Sequence, residues 1–370
     1  MADDSLFSRI LSEPYRRVSE SYLIDPDGLV ADVTATFDMI DPAVRRMRSY
    51  IDASPHYPFD AIDANANSMI RIDMATVAAQ QPPIPQSFLY AIDGTPAVPH
   101  LHYSSHQLYA AAVIGMSYHS LDNPETFLAT TRTTNTWQEP PDPKDFSSLI
   151  AWLESKDILE TNQSWPTTFR EYVEREYALQ QSYPCTLLDG PIITQNLVTQ
   201  ERGRELLRRL LQHSFTLCGV IKGIHASTIA HRLLAQALVP GEALLIEPSY
   251  NLLKRRSNLQ QETWLDNFFQ GLWNEHIDVW RGVYRPATKA FGFECRFCHL
   301  DQVIAVLWSE RDQHHLGHEI PFLLNQVDAH LRSRFNARTC QNHLTYMMGL
   351  DLRESQLFDE MNERDLRIFR

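Results

Sequence analysis

Two stretches of the sequence place an aspartate between a short apolar run and a glycine. Asp93-Gly94 follows the run 88–92, and Asp189-Gly190 follows the run 185–188. A brief apolar run bounded by turn residues is typical of a buried strand. Two carboxylates at the ends of neighbouring strands would offer the hard oxygen ligands that Mg²⁺ and Mn²⁺ prefer. Two such ions about 4 Å apart stabilise the attacking and leaving oxygens of a phosphodiester, so the pair predicts phosphodiester cleavage.

The glycine of each motif is expected to let the chain turn sharply without a side chain crowding the carboxylate. The alternative for each motif taken alone is an ordinary Asp-Gly turn with no chemical role. The second occurrence, again at a predicted strand end, is the observation that favours a site.

The helix predicted at 166–181 lies between the two motifs and carries Glu171 and Glu174. These two residues share a face because they are three positions apart, and either could complete the metal site. A solvated helix face with Glu/Arg pairs is the alternative. Lys222 directly follows the apolar strand predicted at 215–221, where it could neutralise a phosphate or orient water. A strand-end lysine that only reaches solvent is the alternative there.

Further candidates lie near the C-terminal end of the predicted core. His318, Asp328 and His330 could donate a proton, bind metal or contact phosphate, since histidine titrates near neutrality. If 319–334 is helical, Asp328 and His330 do not share a face, so one of them is expected to serve the site.

Two groups of basic residues are candidates for contact with a DNA backbone. They are Arg204 and Arg208 on a predicted amphipathic helix, and the consecutive Lys254, Arg255 and Arg256. An exposed helix face with no partner is the alternative for both.

The elements that must position these residues are strands mixed with helices. Apolar runs predict strands at 87–92, 110–116, 185–189, 215–221 and 303–308, and a hairpin at 282–297. Helices are predicted at 145–156, 166–181, 199–213 and 319–334. Residues 1–80 are predicted to be mostly helical, with Asp41 capping a helix that starts at Pro42, and 130–143 a polar loop. This order favours an α/β core with a partly antiparallel sheet.

The overall composition restricts the class of protein. Lys and Arg number 33 and Asp and Glu 46, which gives a net charge of −13. That acidity argues against tight nonspecific coating of DNA, but not against a nuclease, because binding depends on local patches. Five scattered cysteines suit a reducing cytoplasm rather than a disulfide framework. No apolar run is long enough to span a bilayer, so a cytoplasmic location without membrane association is expected.

Taken in order, the motifs resemble those of the NurA family of DNA-end-processing nucleases. The matching stretches are 90–95, 187–192, 218–222, 281–284 and the late Pro321 followed by Asp328 and His330. Each is short, and together they extend over residues 85–335, which the resemblance predicts to be the nuclease domain. Residues 1–80 would then be an N-terminal segment, and 336–370 a C-terminal tail.

The resemblance implies a fold, an activity and partners. The fold is an α/β, ribonuclease H-like mixed sheet flanked by helices, with a helical N-terminal segment. The activity is Mn²⁺- or Mg²⁺-dependent cleavage of single-stranded DNA and of DNA ends with two metal ions, in DNA end resection or antiviral defence. The implied assembly is a homodimer that works with a HerA-like hexameric ATPase. The chain has no G-x-x-x-x-G-K-[ST] loop, so ATP-driven steps are expected to come from that partner.

Carried over residue by residue, the resemblance assigns metal binding to Asp93, Asp189 and one of Glu171 and Glu174. The glutamate of the family falls on the helix before the second aspartate, and the spacing does not choose between the two.

The sequence departs from the family pattern near its end. Gly317-His318-Glu319 stands where the family has Gly-Tyr-Pro, and the family's histidine falls on Asp328 or His330. This departure keeps a second hypothesis open, in which the chain is a catalytically weak adaptor that binds a motor or nucleic acid through the same fold.

Overall fold

A computed structural model describes residues 42–57, 69–82, 84–96, 101–103, 106–134, 165–224, 229–255, 259, 261–312 and 318–335. Some predicted features lie outside the described residues: the segment 1–41 with the Asp41 cap, the loop over 135–143, the helix at 145–156, the basic residue Arg256 and the C-terminal tail.

Eleven strands of the described residues form one mixed sheet. They are β1 (His56–Tyr57), β2 (Ile70–Asp73), β3 (Leu89–Pro96), β4 (Leu101–Tyr103), β5 (His106–Ser117), β6 (Glu125–Thr134), β7 (Cys185–Asp189), β8 (Thr216–Ile221), β9 (Glu242–Pro248), β10 (Val279–Arg285) and β11 (Phe291–Arg296). Their order across the sheet is β1-β2-β9-β10-β11-β8-β7-β3-β5-β4, and β6 also pairs with β5.

Helices of the described residues flank this sheet. They are α1 (42–52), α2 (Met74–Gln80), α3 (Trp165–Leu179), α4 (Gln195–Val198), α5 (Glu201–Gln212), α6 (Ile229–Ala237), α7 (Ser249–Lys254), α8 (Thr263–Asn274), α9 (Leu300–Ser309) and α10 (Phe322–Arg334). None of the helices among these residues is both long and apolar enough to cross a membrane.

The predicted ribonuclease H-like arrangement is confirmed by the pairing of five strands. Strands β3, β5 and β6 pair antiparallel in chain order, as a meander. Strand β7 then pairs parallel with β3, and β8 pairs parallel with β7. Helix α3 precedes β7, and helices α4 and α5 connect β7 to β8. The protein is therefore an α/β protein with a large mixed sheet between helices.

Side chains of the parallel strands alternate between two apolar layers, because these strands are buried on both faces. Leu89 and Ala91 of β3 lie in the layer that includes α2, α9 and α10, which we call the α10 face. Tyr90 and Ile92 lie in the layer that includes α3, α5 and α8, which we call the α3 face. By this alternation the next residue, Asp93, lies on the α10 face and Gly94 on the α3 face.

The structure differs from the predicted elements in several places. The run 303–308 was predicted to be a strand but lies in helix α9, whose apolar residues Val303, Ile304 and Leu307 are buried in the core. A short run that is apolar throughout has no period to distinguish a buried strand from a buried helix. Residues 130–134, predicted to be loop, belong to β6, and β9 was not predicted at all.

The N-terminal segment differs from its prediction as well. Helices α1 and α2 agree with the expected helical character, but β1 and β2 lie between them and belong to the sheet. Strand β2 pairs antiparallel with β9 from Ile70 to Asp73. The described part of this segment is therefore not wholly helical, and it extends the sheet of the core.

Candidate metal centre

Three adjacent strands bring two carboxylates and an ammonium group together at one end of the sheet. Asp93 lies in β3, Asp189 is the last residue of β7, and Lys222 directly follows β8. Lys222 Nζ lies 2.9 Å from Asp189 Oδ2 and 3.8 Å from Asp93 Oδ2. The distance between the two Oδ2 atoms therefore cannot exceed the sum of these two distances. The two aspartates thus meet the expectation that carboxylates sharing two metal ions lie within about 8 Å.

The two aspartates differ in burial. Asp93 is only 5% exposed, and its Oδ1 accepts a hydrogen bond of 2.7 Å from the backbone N–H of Gly94. Burial raises the pKa of Asp93 well above its ordinary value, and the nearby Asp189 carboxylate raises it further. The side chain of Asp189 is 23% exposed. The site therefore has one deeply buried carboxylate and one that solvent reaches.

Glu174 of helix α3 approaches the site through the space left by the missing side chain of Gly94. A Cβ atom at position 94 would lie 2.7 Å from Glu174 Oε1, closer than real Cβ contacts. Glu174 is 2% exposed, and its Oε2 accepts a hydrogen bond of 2.8 Å from Arg175. Burial raises the pKa of Glu174, although Arg170 and Arg175 lower it. Of the two candidate glutamates, Glu174 is the one that contacts the Asp93-Gly94 segment.

Glu171 is engaged elsewhere. Its Oε2 accepts hydrogen bonds from Thr194 Oγ1 at 2.6 Å and from Asn196 Nδ2 at 3.3 Å. Both donors belong to the segment that follows Asp189-Gly190 in the chain. Glu171 therefore joins α3 to this segment through its Oε2.

The late acidic candidate Asp328 reaches the cluster, whereas the two histidines do not join it. Asp328 Oδ1 of helix α10 lies 4.0 Å from Lys222 Nζ, and its Oδ2 lies 2.9 Å from Arg332. The side chain of His318 is exposed, and its backbone carbonyl accepts a hydrogen bond from Asn325. His330 lies two positions beyond Asp328 on α10, so its side chain points in another direction. Among the described residues neither histidine forms an ion pair with the site carboxylates.

Three of the predicted DNA-binding cations, Arg204, Lys254 and Arg255, have partners within the described chain. Arg204 donates to the Val198 carbonyl and lies over the Trp264 ring at 4.8 Å, and Arg208 lies against Gly271. Lys254 pairs with Asp266 at 2.7 Å, and Arg255 pairs with Glu247. These contacts attach the basic residues to neighbouring elements, and their role in DNA binding stays a prediction.

Sequence reasoning missed two arginines that flank Glu174. Arg170 lies one turn before it on α3, with Nε 3.7 Å from Glu174 Oε1, and Arg175 follows it directly. The signal in the sequence was the four-residue spacing of Arg170 and Glu174, which places opposite charges on one helix face. That spacing is common on solvated helices, so the sequence alone did not distinguish these arginines.

The donor set fits a hard divalent cation in kind. Asp93, Glu174 and Asp189 offer only oxygen atoms, which Mg²⁺ and Mn²⁺ prefer. Glu174 Oε1 is buried and accepts no hydrogen bond from the described residues, a costly arrangement for a carboxylate oxygen. Within the same residues no three His, Cys, Asp or Glu side chains are arranged so that they could already hold a metal ion. The positive charge beside the two aspartates is instead the Lys222 ammonium.

Comparison with known proteins finds no matching protein-family model and no matching curated protein. Among solved structures, the chain is similar to the NurA nuclease from Sulfolobus solfataricus, with 11% identity, 92% of this chain and 99% of that chain covered, and a TM-score of 0.45. It is also similar to NurA bound to dAMP and manganese, with 9% identity, 77% and 94% covered, and a TM-score of 0.40.

A second kind of nuclease is similar at a lower score. Endonuclease V from Bacillus subtilis has 12% identity, 73% of this chain and 91% of that chain covered, and a TM-score of 0.32. The chain is thus similar to structures of NurA, the family that the ordered motifs resemble, and to endonuclease V.

Proposed function

We propose that the chain is a divalent-metal-dependent deoxyribonuclease that hydrolyses phosphodiester bonds in single-stranded DNA and at DNA ends. The observation that carries the proposal is the convergence of Asp93, Asp189 and Lys222 from three adjacent strands, with Glu174 beside them. Three buried or half-buried carboxylates are expensive to gather, even with Lys222, Arg170 and Arg175 beside them. Metal-dependent phosphodiester cleavage supplies a reason to gather them, because the carboxylates bind the metal cations and the cations bind the phosphate.

Asp93, Glu174 and Asp189 are the residues that would hold the cations. When bound, such ions stabilise the attacking and leaving oxygens of an in-line displacement. Glu174 Oε1 provides an oxygen that no described donor occupies, while Arg175 holds Oε2 at 2.8 Å. Arg175 thereby fixes the carboxylate in one orientation, which a preorganised site requires.

Lys222 is the residue best placed to neutralise a phosphate. Burial lowers the pKa of Lys222, but the Asp189 and Asp93 carboxylates raise it more, so the net shift is upward and the ammonium form is favoured. The side chain is 26% exposed, whereas its Nζ is buried beside the Asp189 and Asp93 carboxylates. Asp328, at 4.0 Å, orients the ammonium group from the α10 side.

The proposal includes a homodimer and a HerA-like ATPase as partners. Support comes from the order of the sequence motifs, the absence of a P-loop signature and the net charge of −13. An acidic surface suits a basic face on the motor and would make association sensitive to salt. Co-expression followed by size exclusion at low and high salt measures this. ATP-independent digestion of long duplexes by the purified chain alone would show that no motor is needed.

The central test is cleavage of a labelled single-stranded oligonucleotide in Mn²⁺, with EDTA as the negative condition. Asp93→Asn is expected to lower kcat/KM by about 10³-fold, because bound ions contribute several kcal/mol to the barrier. Asp122→Asn, at an exposed turn residue, is the matched control and is expected to cleave like the wild type. A folded wild-type chain that binds single strands in Mn²⁺ and does not cut them would instead support the adaptor hypothesis.

A further inference from the structure

Helix α3 carries two arginines beside the site, and one of them, Arg175, uses four of its five N–H donors within the chain. Its side chain is 1% exposed, so it is sealed from solvent. Its guanidinium donates to Glu174 Oε2, to the Glu171 carbonyl and to the carbonyls of Pro191 and Ile192. With these acceptors, Arg175 ties α3 to the turn after Asp189 and has no access to a ligand.

Arg170 lies at the same site, but most of its N–H donors form no hydrogen bond with the described residues. Its Nη1 donates to the Gly94 carbonyl at 3.3 Å. Its Nε lies 3.7 Å from Glu174 Oε1, and its Nη2 lies 3.9 Å from Glu171 Oε1. Both separations exceed the 2.7 to 3.2 Å typical of an N–H···O hydrogen bond, so neither is a bidentate pair. The side chain is 28% exposed, which leaves part of the planar fork open to solvent.

Arg170 lies at the rim of the carboxylate site, where a bound phosphate could contact it. It contacts the backbone of Gly94, the residue after Asp93. An arginine guanidinium is charged throughout the working pH range, so a cation lies at the rim of the site. A planar cation with free N–H donors matches two oxygens of a phosphate group.

We propose that Arg170 is a substrate-binding residue whose guanidinium donates to non-bridging oxygens of the DNA phosphate held at this site. The proposal rests on the proposed nuclease function. In it Lys222 and Arg170 contact the phosphate from two directions, Lys222 from the α10 face and Arg170 from the α3 face. The alternative role for Arg170 is that of a counter-ion that only lowers repulsion among the carboxylates.

Salt dependence of DNA binding separates these two roles. Each phosphate neutralised by a protein cation contributes about −0.7 to the slope of log K against log salt for single strands. The measurement is the affinity for a fluorescent single-stranded oligonucleotide over a series of salt concentrations, with Ca²⁺ in place of Mn²⁺. Arg170→Gln is expected to reduce the steepness of the slope by about 0.7, since one phosphate contact is lost. Arg46→Gln, at an exposed arginine on α1 at the other end of the sheet order, is the matched control and should leave the slope unchanged.

Arg170→Lys is the second variant, and it keeps the charge while removing the fork. We expect an unchanged salt slope and a fall of about tenfold in kcat/KM in Mn²⁺, because one bidentate contact becomes a single one. Thermal unfolding confirms that each variant is folded. If Arg170→Gln does not fold, Arg170→Lys decides, and a wild-type kcat/KM would then overturn the proposal.

The possible failures are distinguishable. A wild-type chain that does not cleave in Mn²⁺ contradicts the nuclease function, and the inference fails with it. A wild-type chain that cleaves, beside a folded Arg170→Gln with an unchanged slope, contradicts only the substrate-binding role and supports the counter-ion.

Discussion

The two Asp-Gly motifs are the same dipeptide after the same kind of strand, yet they lie in different environments. Asp93 is inside β3, pairs with Ile114 of β5 and is 5% exposed. Asp189 ends β7, and its side chain is 23% exposed. The following glycines differ too. Gly190 has a φ of +95°, whereas a Cβ atom at Gly94 would collide with Glu174.

The difference shows that one sequence pattern serves two physical needs. Gly190 supplies a left-handed backbone that L-residues rarely adopt, so it makes the turn. Gly94 supplies space, so a glutamate from the neighbouring helix can approach the strand. Each motif also has its own glutamate of α3, since Glu174 lies at Gly94 and Glu171 binds Thr194 beyond Gly190. The Asp93-Gly94 segment buries charged side chains, and the Asp189-Gly190 segment forms a turn.

The largest expected effect separates these two glutamates. Glu174→Gln should lower kcat/KM in Mn²⁺ by about 10²- to 10³-fold, because it removes a charged oxygen beside Asp93. Glu171→Gln should cost about tenfold, as expected of a residue that supports the site through Thr194 and Asn196. Initial rates across substrate concentrations measure both. Equal losses in the two variants would contradict the assignment of Glu174 as the ligand.

The next comparison substitutes the two glycines. Gly94→Ala places a Cβ atom 2.7 Å from Glu174 Oε1, so Glu174 must move. We expect a loss of about 1 to 3 kcal/mol in the free energy of unfolding and a fall in cleavage. Gly190→Ala meets no atom within 4 Å, but its φ of +95° is strained, at about 1 to 2 kcal/mol.

The readout for the glycine pair is urea denaturation together with the cleavage rate per folded molecule. Gly190→Ala should keep a rate within a few-fold of the wild type, because no side chain is displaced. A Gly190→Ala variant that is folded but inactive, beside an active Gly94→Ala, would reverse the roles given to the two residues.

The smallest expected effect concerns pH in the metal-free protein. Burial, followed by the Asp189 carboxylate, raises the pKa of Asp93, so the folded state binds this proton more tightly than the unfolded state. The stability contributed by this group is present below the ordinary aspartate pKa and is lost as pH rises through the folded-state pKa. Asp93→Asn should therefore be more stable than the wild type in EDTA near neutral pH, with a gain that vanishes towards about pH 4.

Asp189→Asn is the matched variant for the pH comparison. It removes a carboxylate that is 23% exposed and paired with Lys222 at 2.9 Å, so we expect no gain in stability. Urea denaturation in EDTA at several pH values measures both variants. A gain for Asp189→Asn and none for Asp93→Asn would show that burial does not set the difference between the motifs.

Local patterns were sufficient to predict much of the core. The structure confirms the strands that end near Asp93 and Asp189, the amphipathic helix α5 and the hairpin of β10 and β11. Each of them has a hydrophobic period or a turn signal in its own sequence. The prediction of a strand at 303–308 was wrong, since this run of α9 is apolar throughout and has no period that distinguishes a helix from a strand. Strand β2 was missed because four residues between less regular segments carry little signal, and its pairing with β9 is non-local.

The sequence by itself determined which residues could do chemistry: two aspartates, a strand-end lysine and a helix with two glutamates. Only the tertiary structure decided which of them meet. It placed Glu174 at Gly94, turned Glu171 towards Thr194 and brought Asp328, but not His330, to Lys222. It also revealed Arg170, whose helical spacing to Glu174 is ordinary. The physical reason is that residue type and period fix the face of an element, whereas the partner of that face depends on contacts between strands and helices far apart in the chain.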